Sequence, residues 1–197
     1  METAELTREE EIKQLTDEIA ERQRRLLELK KSQPEPMTKE YFFKDWDGAD
    51  VSLAELFGER DELILIHNMG KRCSYCTLWA DGFAGVWQHL NDRAAFVVVS
   101  PDEPDVQREF AGSRSWEFVM MSDATQEFTT DMGFAYVQDG MSYVGPGVST
   151  FKKDFMGNIT RVAKDEFGPG DNYCSVWYLF DLLDSGANEW APKYFYK

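Results

Sequence analysis

Hydrophobic residues recur along this chain with two different spacings, which separate a helical arm from a mixed domain. In the first thirty-odd residues, Ile12, Leu15, Ile19, Leu26 and Leu29 follow alternating steps of three and four, with Arg22 breaking the series. That is a heptad seam of about three repeats on an otherwise charged helix. Thr7 and Glu10 have the spacing of a capping box and predict its start. The prolines of Ser32-Gln-Pro-Glu-Pro-Met37 predict its end, because each biases its neighbour toward extended backbone. Residues 1–37 are therefore read as a charged helix and linker, and 38–197 as one domain. The seam predicts either a helix lying along its own domain or a short coiled coil between two copies of the chain.

From Tyr41 the pattern changes. Tyr41–Trp46 reads as a strand, Asp47-Gly48 as a tight turn, and Val51–Phe57 as a second short strand running into a helical turn with Ser52 as its cap. Leu63–Ile66 and Ala94–Ser100 are continuous apolar runs, typical of parallel strands covered on both faces. Glu117–Ser122 is a further short strand. Helical spacing marks three segments: Thr77–Leu90 (Leu78, Trp79, Phe83, Val86, Leu90), Val106–Arg114, and Asp171–Leu183, with Cys174 on its face. Thr125–Gly133 is irregular or helical. Residues 134–147, rich with Gly133 in glycine and proline (Gly140, Gly145, Pro146, Gly147), read as a long loop. Gly147–Asp154 and Ile159–Ala163 flank Met156-Gly157-Asn158 as a hairpin. The tail from Ser185 is aromatic and aperiodic. Strands alternating with helices, closed by a hairpin and a helix, predict an α/β fold with a central mixed sheet flanked by helices.

Composition narrows the partners. Hydrophobic residues make up 43% of 197 and aromatic residues 14%, enough for a substantial core. A net charge of −15 argues against nucleic acid or an anionic membrane as partner. No apolar run approaches the roughly 20 residues needed to cross a bilayer, and the charged N-terminus does not read as a signal peptide. Three cysteines is an odd, small number for a disulfide scaffold. Together these predict a cytoplasmic protein, and in a reducing compartment a Cys-x-x-Cys pair is more often catalytic or metal-binding than structural.

That pair is Cys73-Ser74-Tyr75-Cys76, placed after a buried strand and a short loop and at the start of a helix, where open α/β sheets carry their sites. Two cysteines three positions apart on a first helical turn lie on one face, and the free amides and positive end of the helix favour a thiolate. Lys71 and Arg72 add positive charge. The expectation is a depressed pKa at Cys73, the nucleophile, with Cys76 resolving the mixed disulfide. His67, on the loop leading to the thiols, is a candidate to support the thiolate or take a proton. Asp81 is a candidate proton-transfer acid or a packing constraint. Trp79 and Phe83 read as core, His89 as structural, and Cys174 as a buried small hydrophobe. Zinc needs four ligands, or three and water, and nothing in the spacing of His67, His89 or Cys174 completes such a set. No metal and no cofactor are predicted. The predicted partner is a protein or small-molecule thiol or disulfide.

The strand–Cys-x-x-Cys–helix element, with its preceding Asp-Gly turn and "VSLAELF", resembles the thioredoxin superfamily in its peroxiredoxin-like branch. More narrowly, "CSYCTLWADGF" resembles the signature Cys-x-x-Cys-x-[Phe/Leu]-Trp-x-Asp-Gly-Phe of a thioredoxin-like family known as a domain of unknown function. The charged N-terminal helix and "PGVSTF" are similar to that family too, so the resemblance spans about residues 5–184. It implies a thioredoxin-like fold and thiol chemistry, with no substrate attached. Two positions depart from the wider pattern. Ser149 stands where thioredoxins place the proline that faces the disulfide. If the helices align with those of peroxiredoxins, Cys76 takes the peroxidatic position and Cys73 the Thr/Ser position, but the upstream proline of Pro-x-x-x-[Thr/Ser]-x-x-Cys is missing. The resemblance implies dithiol exchange first, with a non-catalytic binding protein self-associating through its N-terminal helix, or a thiol peroxidase, as alternatives.

Overall fold

The structure, a computed structural model, describes residues 6–138 and 141–196. Gly140 of the expected loop and Lys197 of the tail lie outside the described residues. The chain forms two units, one ending at Pro34 and the other beginning at Glu35.

The first unit holds α1 (Arg8–Lys31). Its start is the expected capping box. The Thr7 hydroxyl accepts from the Glu10 amide at 3.3 Å, and the Glu10 carboxylate accepts from the Thr7 amide at 2.9 Å. Glu9–Glu11 at the first turn and Lys30 and Lys31 at the last complement the helix dipole. No residue of α1 is buried, and Ile12, Leu15, Ile19, Leu26 and Leu29 are each about half exposed.

The second unit is built on an eight-stranded mixed sheet. Its strands are β1 (Glu35–Pro36), β2 (Phe42–Lys44), β3 (Asp50–Ser52), β4 (Glu62–His67), β5 (Ala95–Ser100), β6 (Val119–Ser122), β9 (Gly147–Lys153) and β10 (Ile159–Glu166), in the order β1-β10-β9-β4-β5-β6-β2-β3. β4, β5 and β6 run parallel, and β9 is antiparallel to β4. All six residues of β5 are buried, as a strand covered on both faces requires. The 3₁₀ turn Glu55–Phe57 has Ala54 at its N-cap, and Ser52 braces it from two positions earlier: its hydroxyl accepts the Glu55 amide at 3.2 Å while the Glu55 carboxylate accepts the Ser52 amide at 2.7 Å.

Three segments differ from their sequence patterns. The helix expected over Thr77–Leu90 is two helices, α2 (Ser74–Ala84) and α3 (Trp87–Arg93). Gly82 and Gly85 lower helix propensity within one turn, and Val86 leaves the helical region (φ −132°, ψ 0°) with its side chain exposed. The expected loop over 134–147 contains a separate hairpin, β7 (Ala135–Gln138) and β8 (Met141–Val144), in which Tyr136 pairs directly with Tyr143, their rings stacked at 5.4 Å. The expected helix over Asp171–Leu183 shrinks to α6 (Val176–Asp181). The Asp171 carboxylate accepts the amides of Gly168 (3.0 Å) and Tyr173 (2.8 Å), and this local turn competes with helix. Cys174 therefore sits in the turn before α6, still buried. The remaining helices are α4 (Pro104–Ser113) and α5 (Glu127–Asp131).

Strand alternation divides the interior into two cores. Leu63, Leu65, Ala95, Val97, Val99, Met121 and Phe151 face one side, packed against Tyr41, Phe57, Phe128, Met132 and Phe134. Ile66, Phe96, Val98, Met120 and Val148 face the other, against Cys76, Trp79, Phe83, Ala111, Phe167, Cys174 and Trp177. Among the described residues no helix is long and apolar enough to cross a membrane.

Candidate active site

The thiol loop leaves the carboxyl end of β4 and is tied back to the sheet at each step. The Asn68 amide donates to the Val99 carbonyl at 2.8 Å, and the Gly70 amide to the Asn68 side chain at 2.8 Å. Gly70 has φ +90°, and a Cβ there would lie 2.7 Å from an oxygen of Asp102, so both conformation and space demand glycine. The same Asp102 carboxylate accepts the Lys71 amide at 2.6 Å. The Cys73 amide then closes a turn onto the Gly70 carbonyl at 3.1 Å.

This turn delivers Cys73 to the N-cap of α2, one position outside the helix. Its sulfur accepts the Cys76 amide at 3.0 Å, the bond a serine or aspartate makes in that place. The Cys73 thiol is lowered to about 7, first by the hydrogen bond from the Cys76 thiol and then by the amides of Cys76 and Tyr75, against the opposing effect of burial. Cys76 is 2% exposed, and the Cys73 sulfur together with burial pushes its thiol far up. One thiolate and one retained proton share the pair. Lys71 and Arg72 are exposed, and the Cys76 thiol, followed by the amides of Cys76 and Tyr75, acts where their charge was expected to.

His67 is the last residue of β4, and alternation sends its side chain to the sheet face opposite α2. There it is 1% exposed and stacked against Phe134 (3.9 Å) and Phe128 (5.7 Å), with Nε2 2.9 Å from the Ser149 hydroxyl. Burial lowers its pKa to about 3, reinforced by Arg161 and Lys164, and it is neutral at ordinary pH. Ser149, opposite Leu65 in the β9–β4 register, shares that face and is fully buried. The structure thus joins His67 and Ser149 to each other, their side chains on the sheet face opposite the core that holds Cys76. The expected thiol-supporting role of His67 and the disulfide-facing position of Ser149 are both corrected by the period-two geometry of strands.

On the thiol side, the residue from the β9 approach is Pro146. With His67, Asn68, Cys76, Trp79 and Phe167 it lines a narrow apolar crevice beside the inner thiol. Gly147 follows Pro146 because a Cβ there would meet the Phe134 ring at 2.2 Å and the Asp165 carbonyl at 2.4 Å. Trp79 is core as expected, 3% exposed and against Phe167 (5.4 Å). Asp81 is held by both arms of the Arg114 guanidinium, with Nε at 2.8 Å, and accepts the Trp116 indole N–H at 2.9 Å. It locks α2 to the end of α4 rather than facing the thiols. Among the described residues no three His, Cys, Asp or Glu side chains group as a metal site. Asn68, Asp102 and Pro146 were not singled out from sequence; the Pro146-Gly147 pair was the one local signal available.

Among solved structures the fold is similar to peroxiredoxins. The Mycobacterium tuberculosis peroxidoxin BcpB is 21% identical, covering 65% of this chain and 81% of that one, with a TM-score of 0.53. The reduced Vibrio vulnificus Prx3, solved in complex with hydrogen peroxide, is 15% identical over 70% and 86%, with a TM-score of 0.54. A peroxiredoxin-like protein from Aquifex aeolicus is 16% identical over 65% and 72%, with a TM-score of 0.51. These likenesses establish a thioredoxin-like fold of the peroxiredoxin type. The sequence matches no curated protein. A family model described as "Bacterial protein of unknown function (DUF899)" matches residues 1–196, and the chain belongs to that family.

Proposed function

We propose that this chain is a thiol–disulfide oxidoreductase in which Cys73 is the nucleophile and Cys76 the resolving thiol. One observation carries the reading: the Cys73 sulfur caps α2, accepting the Cys76 amide, with its pKa near 7, while buried Cys76 keeps its proton. The Cys73 thiolate attacks one sulfur of a client disulfide, forming a mixed disulfide and expelling the other sulfur as a thiolate. Cys76 then gives up its proton and attacks Cys73, forming the Cys73–Cys76 disulfide and releasing the second client thiol. The client gains two electrons and the pair loses two; a dithiol reductant restores it. The decisive experiment incubates the reduced protein with a chromogenic aryl disulfide. Wild type releases two equivalents of thiolate per pair, Cys76→Ser one with a trapped mixed disulfide at Cys73, and Cys73→Ser none from the pair. Equal release by Cys73→Ser and wild type sinks the reading.

A thiol peroxidase is the second reading, favoured by the fold it shares with proteins named as peroxiredoxins. Against it stand the raised thiol of Cys76, which takes the peroxidatic position if the helices align with those of peroxiredoxins, and the missing upstream proline. Loss of the thiols to stoichiometric peroxide faster than to the aryl disulfide would reverse this preference. For α1, the exposed heptad seam supports a second copy of the chain as partner. Paired Leu15→Lys and Ile19→Lys substitutions should convert a sedimenting dimer to monomer.

A further inference from the structure

The apolar seam of α1 is about half exposed along its whole length, and the charges beside it differ between the two ends of the helix. In heptad letters Ile12, Ile19 and Leu26 stand at a, and Leu15, Arg22 and Leu29 at d. The flanking positions are acidic early and basic late: Glu9 then Lys30 at e, Glu18 then Arg25 at g. Such a helix can meet a second copy in two directions, and the directions treat these charges oppositely.

In a parallel pair each residue faces its own counterpart across the seam, so Arg22 shares one layer with Arg22 of the second copy. The g-to-e contacts then set Arg25 against Lys30 of the second copy, twice, while Glu18 meets only the neutral Gln23. In an antiparallel pair a meets d. One register uses all six seam positions: Ile12 against Leu29, Leu15 against Leu26 and Ile19 against Arg22, each twice. The two arginines then occupy separate layers, each with its stem on an isoleucine and its head in water. The same register brings g to g and e to e. Glu18 lies beside Arg25 of the second copy and Glu9 beside Lys30 of the second copy, so four opposite-charge contacts replace two like-charge ones. Arg25 already reaches Glu28 of its own helix at 2.9 Å, but that pair is exposed on both sides and holds it weakly.

The rest of the chain adds a second argument. Residues 1–34 hold seven basic and nine acidic side chains, so nearly all of the net charge of −15 follows the helix. A parallel pair starts both of these acidic continuations side by side. An antiparallel pair starts them about 30 Å apart, several Debye lengths at physiological salt.

We propose that α1 pairs antiparallel with α1 of a second copy, in the register that sets Ile12 against Leu29 and Glu18 against Arg25. This rests on reading the partner of the seam as a second copy and adds its direction and register.

The test is sedimentation equilibrium of the full chain at about 0.05 M salt, where flank charges are little screened. Arg25→Glu should raise the dimer dissociation constant roughly tenfold, because two contacts with Glu18 turn from attraction to repulsion. Glu18→Lys should do the same. The double variant Glu18→Lys/Arg25→Glu should return to within about threefold of wild type. It carries the intrahelical losses of both single variants, so its recovery can arise only across the pair. A parallel pair gives the opposite sign, since Arg25→Glu would then face Lys30 and tighten the dimer. Tightening by Arg25→Glu, or a double variant no tighter than the weaker single one, overturns the antiparallel pairing. If the dimer still dissociates with Leu15→Lys and Ile19→Lys, only the direction is lost and the second copy stands. A chain that stays monomeric even as Arg22→Leu, which restores an apolar seam, sinks both.

Discussion

The two faces of the central sheet carry polar groups of opposite character, although one strand supplies the entry to both. On one face His67 and Ser149 form a neutral pair buried among Phe128 and Phe134. On the other, the loop that continues β4 brings Cys73 to the first turn of α2, where the Cys76 thiol and then backbone amides stabilise a charge. Burial without a counter-charge suppresses ionisation at His67, and burial at a helix start permits it at Cys73. The contrast teaches that depth alone does not decide whether a polar group is reactive. The direction of the donors around it does.

The largest effect expected from breaking this comparison is on the His67 face. His67→Ala removes a packed ring and leaves the Ser149 hydroxyl without its partner, costing about 2–4 kcal/mol in chemical denaturation. The midpoint for Cys73 alkylation should not move; a shift would mean that the two faces communicate. The pH dependence has a definite sign. His67 titrates near 6.5 when unfolded and lower when folded, so the unfolded state binds the extra proton between the two. Its contribution is intact above the unfolded value and fades as pH falls toward about 3. The stability advantage of wild type over His67→Ala should therefore shrink on acidification through that window.

The next effect sharpens the thiol face. The Cys76 thiol is the first cause of the Cys73 shift, so Cys76→Ala should raise the alkylation midpoint from about 7 toward the ordinary thiol value of about 8.5. A midpoint that stays at 7 would assign the shift to the backbone amides alone. Smallest is Asp81→Asn, which weakens a partly exposed ion pair with Arg114 and should cost about 1–2 kcal/mol with the Cys73 midpoint in place. A midpoint displaced by Asp81→Asn would restore its candidacy as a proton-transfer acid.

Much of the fold was legible because its signals are local. The capping box at Thr7, the uninterrupted apolar run of β5 and the turn between β9 and β10 depend on neighbours in sequence, and each forms as its pattern implies. The failures have local causes as well. Paired glycines broke one helix, and the Asp171 turn shortened another. The pairing of β7 with β8 was hidden because glycine and proline around it outweighed its strand pattern.

The sequence by itself determined the thiol pair, the strand before it and the helix behind it. A Cys-x-x-Cys at a strand–helix junction needs only adjacent residues to meet free amides. Tertiary structure decided which distant groups join that pair. His67 is six positions from Cys73, and its ring packs on the opposite face of the sheet, since each step along a strand reverses the side chain. Pro146 is far along the chain and arrives beside the pair, because β9 docks antiparallel on β4. Proximity in sequence supplied the nucleophile; sheet register supplied its surroundings.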